Sequence, residues 1–159
     1  MADVTIDKVL KFYKSCLEKI PETIENAIYS NEKAILQLQK NQIYDGKSNT
    51  GEDLHPLYTE DSYFKTQEQT RDYIKWKQQI TPNPRRNPNA PNLYINGYIH
   101  RNIIIVKEGG NIMFDINSRI GFGEYLKNKY DNLLGLTPDN LEKINNEIII
   151  PKIWELLQG

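Results

Sequence analysis

Apolar residues recur at intervals of three and four near the start of the chain, which places them on one face of an amphipathic helix. They are Ile6, Val9, Leu10, Tyr13, Cys16, Leu17 and Ile20. Thr5 is a suitable N-cap, and Pro21 predicts a kink after which the same periodicity continues. The pattern therefore predicts a long N-terminal helix near residues 5–30. Residues 34–43 fit either a further helix or a short strand, and we favour the helix.

The middle of the chain alternates between turn-rich segments and one clear helix. Glycine, asparagine and proline punctuate residues 44–64, which are predicted to be an irregular loop. Thr66 and Gln69 then form a capping-box pattern, so a helix is expected over 67–80. Segment 81–91 contains four prolines and is predicted to be a second irregular loop.

The last third of the chain predicts a β-hairpin followed by helices. Residues 93–107 and 112–116 are rich in isoleucine and flank a Gly-Gly turn, which favours a hairpin. A short helix suits 122–130, and Thr137-Pro138 is a strong start for a C-terminal helix near 138–157. We therefore expect an α+β fold, in which a long N-terminal helix and a C-terminal helix pack on a small, mainly antiparallel β-sheet.

Length and composition predict one domain, spanning residues 1–159, and a soluble protein made in the cytoplasm. Twenty basic and 21 acidic residues give a net charge of −1, which excludes a basic field over the whole protein. The longest aliphatic run has four residues, whereas a membrane-spanning helix needs about 20. No signal peptide is expected, and the single Cys16 excludes an internal disulfide and suggests a reducing compartment.

The charges are unevenly distributed along the chain, and the basic part contains the main candidate surface. Residues 65–107 carry eight basic and two acidic groups, while both flanking segments are acidic. Arg85 and Arg86 lie in this basic part, and together with Trp76 they could hold a nucleic-acid backbone and stack its bases. The other interpretation is that Trp76 belongs to the core and the arginines pair with an acidic face of this chain or of a neighbouring copy. We favour the second interpretation.

No set of residues has the spacing that catalysis or cofactor binding requires. The Gly-Lys-Ser at 46–48 lacks the earlier glycine of a phosphate-binding loop, because Asn41 occupies that position. The oxygen-rich segment 45–53 lacks the spacing of an EF-hand. His55 and His100 lie in different elements and form no pair of metal ligands. The sequence therefore predicts no enzymatic activity, no cofactor and no metal site.

Three stretches of the chain resemble one protein family. The first is IYDGK at 43–47 with a following glycine and PLY, an I/L-x-x-G-x-x-x-x-G…P-x-Y pattern. The second is NLYINGYIHRNI at 92–103, and the third is LGLTPDNL at 134–141. They are similar to segments of the neck or tail-completion proteins of tailed phages and prophages, especially those of Bacteroides-type hosts. Asn96 and Asn102 replace the threonine and serine usual in the second stretch, and the Pro-rich segment lengthens the loop before it.

This resemblance implies a structural protein of the virion with no enzymatic activity. The expected protomer joins a homo-oligomeric ring at the neck, between the connector and the tail, and is made in the bacterial host cytoplasm. Its expected partners are copies of itself, the portal or connector, and tail proteins, with contact to packaged DNA left open and no membrane. Nucleic-acid binding through the Arg85-Arg86 loop is the alternative function.

The residues expected at the interfaces of such a ring are Arg85, Arg86, Trp76, Tyr94 and Gly97. Gly97 suits a bulge in a strand that bends around a ring-forming sheet. Segregated charges suit head-to-tail contacts, which close rings. Replacing Arg85 and Arg86 together by Glu is expected to impair assembly and to leave the protomer folded.

Overall fold

Helices and one two-stranded sheet make up the regular structure of a computed structural model that describes residues 5–159. The α+β class is thereby confirmed. The elements, in chain order, are α1 (Ile6–Ser30), α2 (Glu32–Tyr44), α3 (Gln67–Ile80), α4 (Tyr98–Arg101), β1 (Ile103–Glu108), β2 (Asn111–Ile116), α5 (Gly123–Lys129), α6 (Pro138–Ile144) and, after a π-helical turn (Asn145–Ile149), α7 (Ile150–Gln158).

The chain divides into two compact units, so the prediction of one domain stays a prediction. One unit contains the residues up to Ile35 together with Leu141–Gly159, and the other is Leu36–Asn140. In the first unit, α1 packs against α7 and against the π-helical turn. The buried Cys16 faces α7, and its thiol donates to the carbonyl of Leu156 at 3.6 Å. The amphipathic pattern therefore finds its partner in the C-terminal helix.

Two prolines of the first unit are accommodated differently. Helix α1 begins at the predicted cap, where the Thr5 hydroxyl accepts from the Lys8 N–H, and it runs through Pro21 as one helix. In the C-terminal segment, the N–H of Ile150 donates to the carbonyl of Asn145, five residues back. This wider turn precedes Pro151, which has no N–H and cannot continue a regular α-helical ladder. The C-terminal segment thus accommodates Pro151 through a π-helical turn.

The second unit has its core between α2, the hairpin and α5. The buried cluster consists of Ile43, Leu54, Ile103, Ile116, Ile120, Leu126, Tyr130 and Leu133. Strands β1 and β2 are antiparallel, with Ile103 opposite Ile116 and Glu108 opposite Asn111. The two glycines between them have φ values of 57° and 81°, the left-handed conformation that a two-residue hairpin turn requires.

Most of the predicted elements are confirmed, but the residues before the hairpin are not extended. Helix α3 spans Gln67–Ile80, as its cap predicted. Residues 45–64 and 81–91 contain neither a helix nor a strand, and Tyr44, predicted to start the first loop, is the last residue of α2. Strand β1 begins only at Ile103, because Gly97 adopts φ 76° and caps the single turn of α4. The expectation of a strand bulge at Gly97 is therefore wrong. His100, expected in a strand, is a buried residue of α4.

Two buried glutamines of α2 bind the segment that precedes α6. The side chain of Gln39 accepts from the N–H of Gly135 at 2.8 Å. Gln42 donates to the carbonyl of Gly135 at 2.8 Å and accepts from the N–H of Thr137 at 2.9 Å. Because these backbone groups lie in an irregular segment, the glutamine side chains satisfy them in place of a helix or sheet.

Replacing Gln42 by Ala should destabilise the protein by about 1–3 kcal/mol, because the Gly135 carbonyl and the Thr137 N–H lose their partner. Gln37 on the same helix is exposed and bonds only the side chain of Asn41. Its replacement by Ala is the matched control and should change the stability by less than about 0.5 kcal/mol. Urea unfolding of both variants measures the difference, and equal losses would contradict the role given to Gln42.

Candidate functional site

The two arginines that the sequence singled out have different environments. The side chain of Arg85 is exposed and pairs with the carboxylate of Asp45 at 3.2 Å. The same carboxylate accepts from the side-chain amide of Asn83 at 2.7 Å. Arg85 is thus a surface residue whose charge is balanced by an acidic group of the same chain, as the favoured interpretation expected.

Arg86 is an interior residue, with only 4% of its surface exposed. Its guanidinium donates to the carbonyls of Asn87, Pro88 and Ala90. Its Nε is buried and has no hydrogen-bond partner among the described residues. The expectation of a surface position is therefore wrong for Arg86. A proline-rich loop has few N–H groups that can donate to its own carbonyls, and the Arg86 guanidinium supplies the missing donors.

Lys77 is a second buried cation, which the sequence counted as part of a basic surface. It is 1% exposed and belongs to α3. Its ammonium donates to the side-chain oxygen of Asn92 at 2.7 Å and to the carbonyl of Tyr94. Burial, with a smaller contribution from the nearby Arg86 cation, lowers the pKa of Lys77 to about 8. No carboxylate in the described part of the chain pairs with it.

The aromatic residues near Lys77 line a cavity of about 340 Å³. Their rings belong to Tyr58, Tyr73, Tyr94, Tyr98, Phe122 and Tyr130. Burial raises the pKa of Tyr130 to about 12 and raises that of Tyr58 as well, so both phenols stay neutral at physiological pH. The cavity is therefore an apolar site with one cationic group in its wall.

Trp76 and Gly97 are two other predicted interface residues, and they differ in exposure. Trp76 lies at the surface, whereas Gly97 is buried between two residues that line this cavity. Trp76 is 40% exposed, and its ring lies 5.4 Å from that of Tyr73, so it belongs partly to the core and partly to the surface. A side chain at Gly97 would approach the ring of Tyr94 to 3.2 Å and the guanidinium of Arg101 to 3.0 Å. The glycine is therefore required by its conformation and by close packing.

Three residues of the oxygen-rich segment have other partners. Asp45 pairs with Arg85, and Asp53 pairs with Lys47 at 2.7 Å. Asn49 donates to the carbonyl of Leu134 at 2.9 Å. Within residues 5–159, no group of three or more His, Cys, Asp or Glu side chains is arranged to hold a metal ion. None of the helices in these residues has the length and apolar character that crossing a membrane needs.

Helix α1 exposes a set of large apolar side chains that belong to its predicted apolar face. Four of its side chains follow each other at helical spacing along one stripe: Ile6, Leu10, Tyr13 and Leu17. Ile6 is 78% exposed and Leu17 is 62% exposed. Only Cys16 and Ala27 of this helix are buried. The apolar residues of α1 span a wider arc of the helix than its contact with α7 buries. The width of that arc is the sequence signal by which the exposed stripe could have been found.

Comparisons of the chain with protein-family models, with curated proteins and with solved structures find no match.

Replacing Arg86 by Ala should lower the free energy of unfolding by about 2–4 kcal/mol, because three carbonyls lose their donor and a cavity forms. Arg85→Ala, next to it in the chain, is the control and should cost about 0–1 kcal/mol as an exposed pair. The Arg85/Arg86 double glutamate variant should accordingly unfold, contrary to the expectation from the sequence. Thermal unfolding of the three variants is the measurement, and a stable double variant would contradict the buried role of Arg86.

Lys77 should make the protein more stable as the pH rises. Its pKa is about 8 in the folded state and 10.5 when unperturbed. Between these values the unfolded chain binds a proton that the folded chain does not, so the free energy of unfolding increases with pH. The increase should be about 1.5 kcal/mol between about pH 8 and 9.5.

Urea unfolding across this pH range measures the effect. Lys77→Met should lack the increase, whereas Lys75→Met, at an exposed position of the same helix, should retain it. Parallel pH profiles for wild type and Lys77→Met would show that Lys77 titrates normally.

Proposed function

We propose that this chain is a structural component of a tailed-phage virion and forms part of the ring that joins the neck or connector to the tail. Three segments of the sequence support it by their similarity to tail-completion proteins, at 43–58, 92–103 and 134–141. In the structure these segments contribute the end of α2, the α4 turn and the start of α6. The proposed partners are further copies of the chain, the portal or connector, and tail proteins. Its proposed location is the virion.

The observation that carries the proposal is the exposed apolar stripe of α1. Soluble monomers rarely expose large continuous apolar patches, and such patches are typical of surfaces that another protein covers. The C-terminal helix adds Trp154, which is 59% exposed, and the nearby Ile150. An obligate assembly would bury these side chains, and each would contribute apolar area that is removed from water.

The surface charges are compatible with contacts between unlike surfaces of neighbouring copies. The basic segment 65–107 keeps six exposed cations even though Lys77 and Arg86 are buried: Lys65, Arg71, Lys75, Arg85, Arg101 and Lys107. Segments 1–64 and 108–159 are acidic. Complementary surfaces of opposite sign guide and orient association, and contacts between two unlike surfaces repeat around a closed ring.

Nucleic-acid binding through the Arg85-Arg86 loop is less well supported. Phosphate contacts need cations that reach the backbone, whereas Arg86 is enclosed by loop carbonyls and Arg85 pairs with Asp45. Contact with DNA would have to use Arg85 with other exposed cations.

The test is the oligomeric state of the purified chain at rising concentration, by native mass spectrometry and negative-stain electron microscopy. We expect a closed ring that persists at high salt, because an apolar interface is not screened by ions. Leu10→Gln with Leu17→Gln should reduce it to monomers with unchanged helical circular dichroism.

Glu18→Gln with Glu22→Gln is the matched control, since these exposed residues lie on the polar side of the same helix. This variant should still form the ring. A wild-type chain that stays monomeric at every concentration would contradict the proposal. Retention on DNA that weakens steeply with salt would favour the alternative.

A further inference from the structure

The aromatic cavity of the second unit has the size and lining of a small-molecule site. Its volume of about 340 Å³ lies at the lower end of the range of ligand pockets, roughly 300–1,000 Å³. Such pockets are mostly apolar, with a few polar groups that fix the orientation of the ligand. Among the described residues that line this cavity, Lys77 alone carries a charge. The cavity therefore combines an apolar volume with one polar anchor.

The cavity is closed on one side by buried rings and is bordered on the other by exposed side chains. Tyr58 and Tyr130 are 6% and 7% exposed, whereas Ile95 is 60% exposed. The rings of Tyr98 and Phe122, both partly exposed, lie 6.3 Å apart. A small molecule thus has access to the cavity from solvent while the chain stays folded.

The ammonium of Lys77 keeps a donor for a ligand. A lysine ammonium has three N–H donors and no acceptor. Lys77 donates to the side-chain oxygen of Asn92 at 2.7 Å and to the carbonyl of Tyr94. Within residues 5–159, the third N–H has no acceptor. Because Lys77 and Tyr94 both line the cavity, an acceptor atom bound there can take this donor.

The positive charge around this anchor is not balanced by the chain. Neither Lys77 nor Arg86 pairs with a carboxylate among the described residues, and both are buried. Arg86 lies close enough to contribute to the lowered pKa of Lys77. Buried charges in proteins are normally paired with an opposite charge. An anion beside Lys77 would supply the missing negative charge.

The tyrosines of the cavity suit an aromatic ligand and do not repel an anion. Burial raises the pKa values of Tyr58, Tyr73 and Tyr130, so their phenols are neutral at physiological pH. The rings of Tyr58 and Tyr73 already meet edge to face, with their centroids 5.0 Å apart. Aromatic rings prefer this arrangement and offset stacking, and an added ring can use either.

We propose that this cavity binds a small aromatic carboxylate, with its ring among the tyrosines and its carboxylate on the ammonium of Lys77. Hydrogen bonds between an ammonium and a carboxylate are stronger than those between neutral groups. The carboxylate selects the anion, and the aromatic lining selects the ring. The site lies within the second unit and does not depend on the proposed assembly.

The experiment measures the affinity of the full chain for three probes of similar size, by saturation-transfer NMR titration at pH 7. Lys77, with a pKa of about 8, is mainly protonated at this pH. Benzoate should bind about tenfold more tightly than benzamide, which has the ring but no charge. It should bind about three- to tenfold more tightly than cyclohexanecarboxylate, which has the charge but no aromatic ring.

Two variants locate the binding site, and each has a matched control. Lys77→Met should bind benzoate no better than benzamide, whereas Lys75→Met, at an exposed position of the same helix, should keep the preference. Tyr98→Ala should weaken benzoate binding about three- to tenfold, and its partly exposed side chain makes loss of the fold unexpected. Tyr29→Ala, at an exposed tyrosine of α1, should bind as wild type does. Circular dichroism verifies that every variant is folded.

Several results would overturn the inference. Absence of benzoate binding up to its solubility limit would exclude the site. Equal affinities for benzoate and benzamide would remove the role of the charge, and equal affinities for benzoate and cyclohexanecarboxylate would remove that of the aromatic lining. If Lys77→Met does not fold, unchanged binding by Tyr98→Ala would still place benzoate outside this cavity.

Discussion

In the second unit, Leu36–Asn140, the hydrogen bonds of Asn92 join the proline-rich loop to the helices around it. This fully buried residue accepts from Lys77 and from the N–H of Tyr94 with its side-chain oxygen, at 2.7 and 3.2 Å. Its backbone carbonyl accepts from the ring of His100 at 2.9 Å. One asparagine thus joins α3, the end of the loop and α4. Because buried polar groups cost free energy unless they are paired, these contacts depend on each other.

This network explains why the basic third of the chain is less basic at its surface than the sequence indicates. Lys77 and Arg86 are enclosed, and loop carbonyls and an amide oxygen are their acceptors. A proline-rich loop has many carbonyls and few N–H donors, so cations with several donors can satisfy it. Charge counted along a sequence is therefore a poor measure of the field that a partner meets. The remaining exposed cations and the apolar stripe of α1 are the surface features that bear on assembly.

The proposed assembly concerns a surface that a single chain leaves incomplete. The stripe on α1 exposes apolar side chains that water solvates poorly. Burial of such side chains is non-directional, so the stripe favours association without fixing the geometry of the contact.

The sequence by itself determined the elements whose cause is local. The periodicity of α1, the capping residues of α3, the Thr-Pro start of α6 and the Gly-Gly turn act within a few residues, so their positions could be predicted. The α+β class followed from them. The surface position of Arg85 also agreed with expectation. Tertiary structure decided the rest, because burial depends on residues that are distant in the chain.

Three residues illustrate what the tertiary structure decided. Arg86 resembles its neighbour Arg85 in sequence, yet it is interior because the loop folds its carbonyls around it. Gly97 lies in an isoleucine- and tyrosine-rich segment that predicts a strand. Its left-handed backbone instead starts a helical turn beside Tyr94. Lys77 is a charged residue on the same face of α3 as Tyr73, and it is buried with Asn92, 15 residues later, as its partner. Local pattern sets which elements form, and long-range packing sets which of their residues remain for a partner.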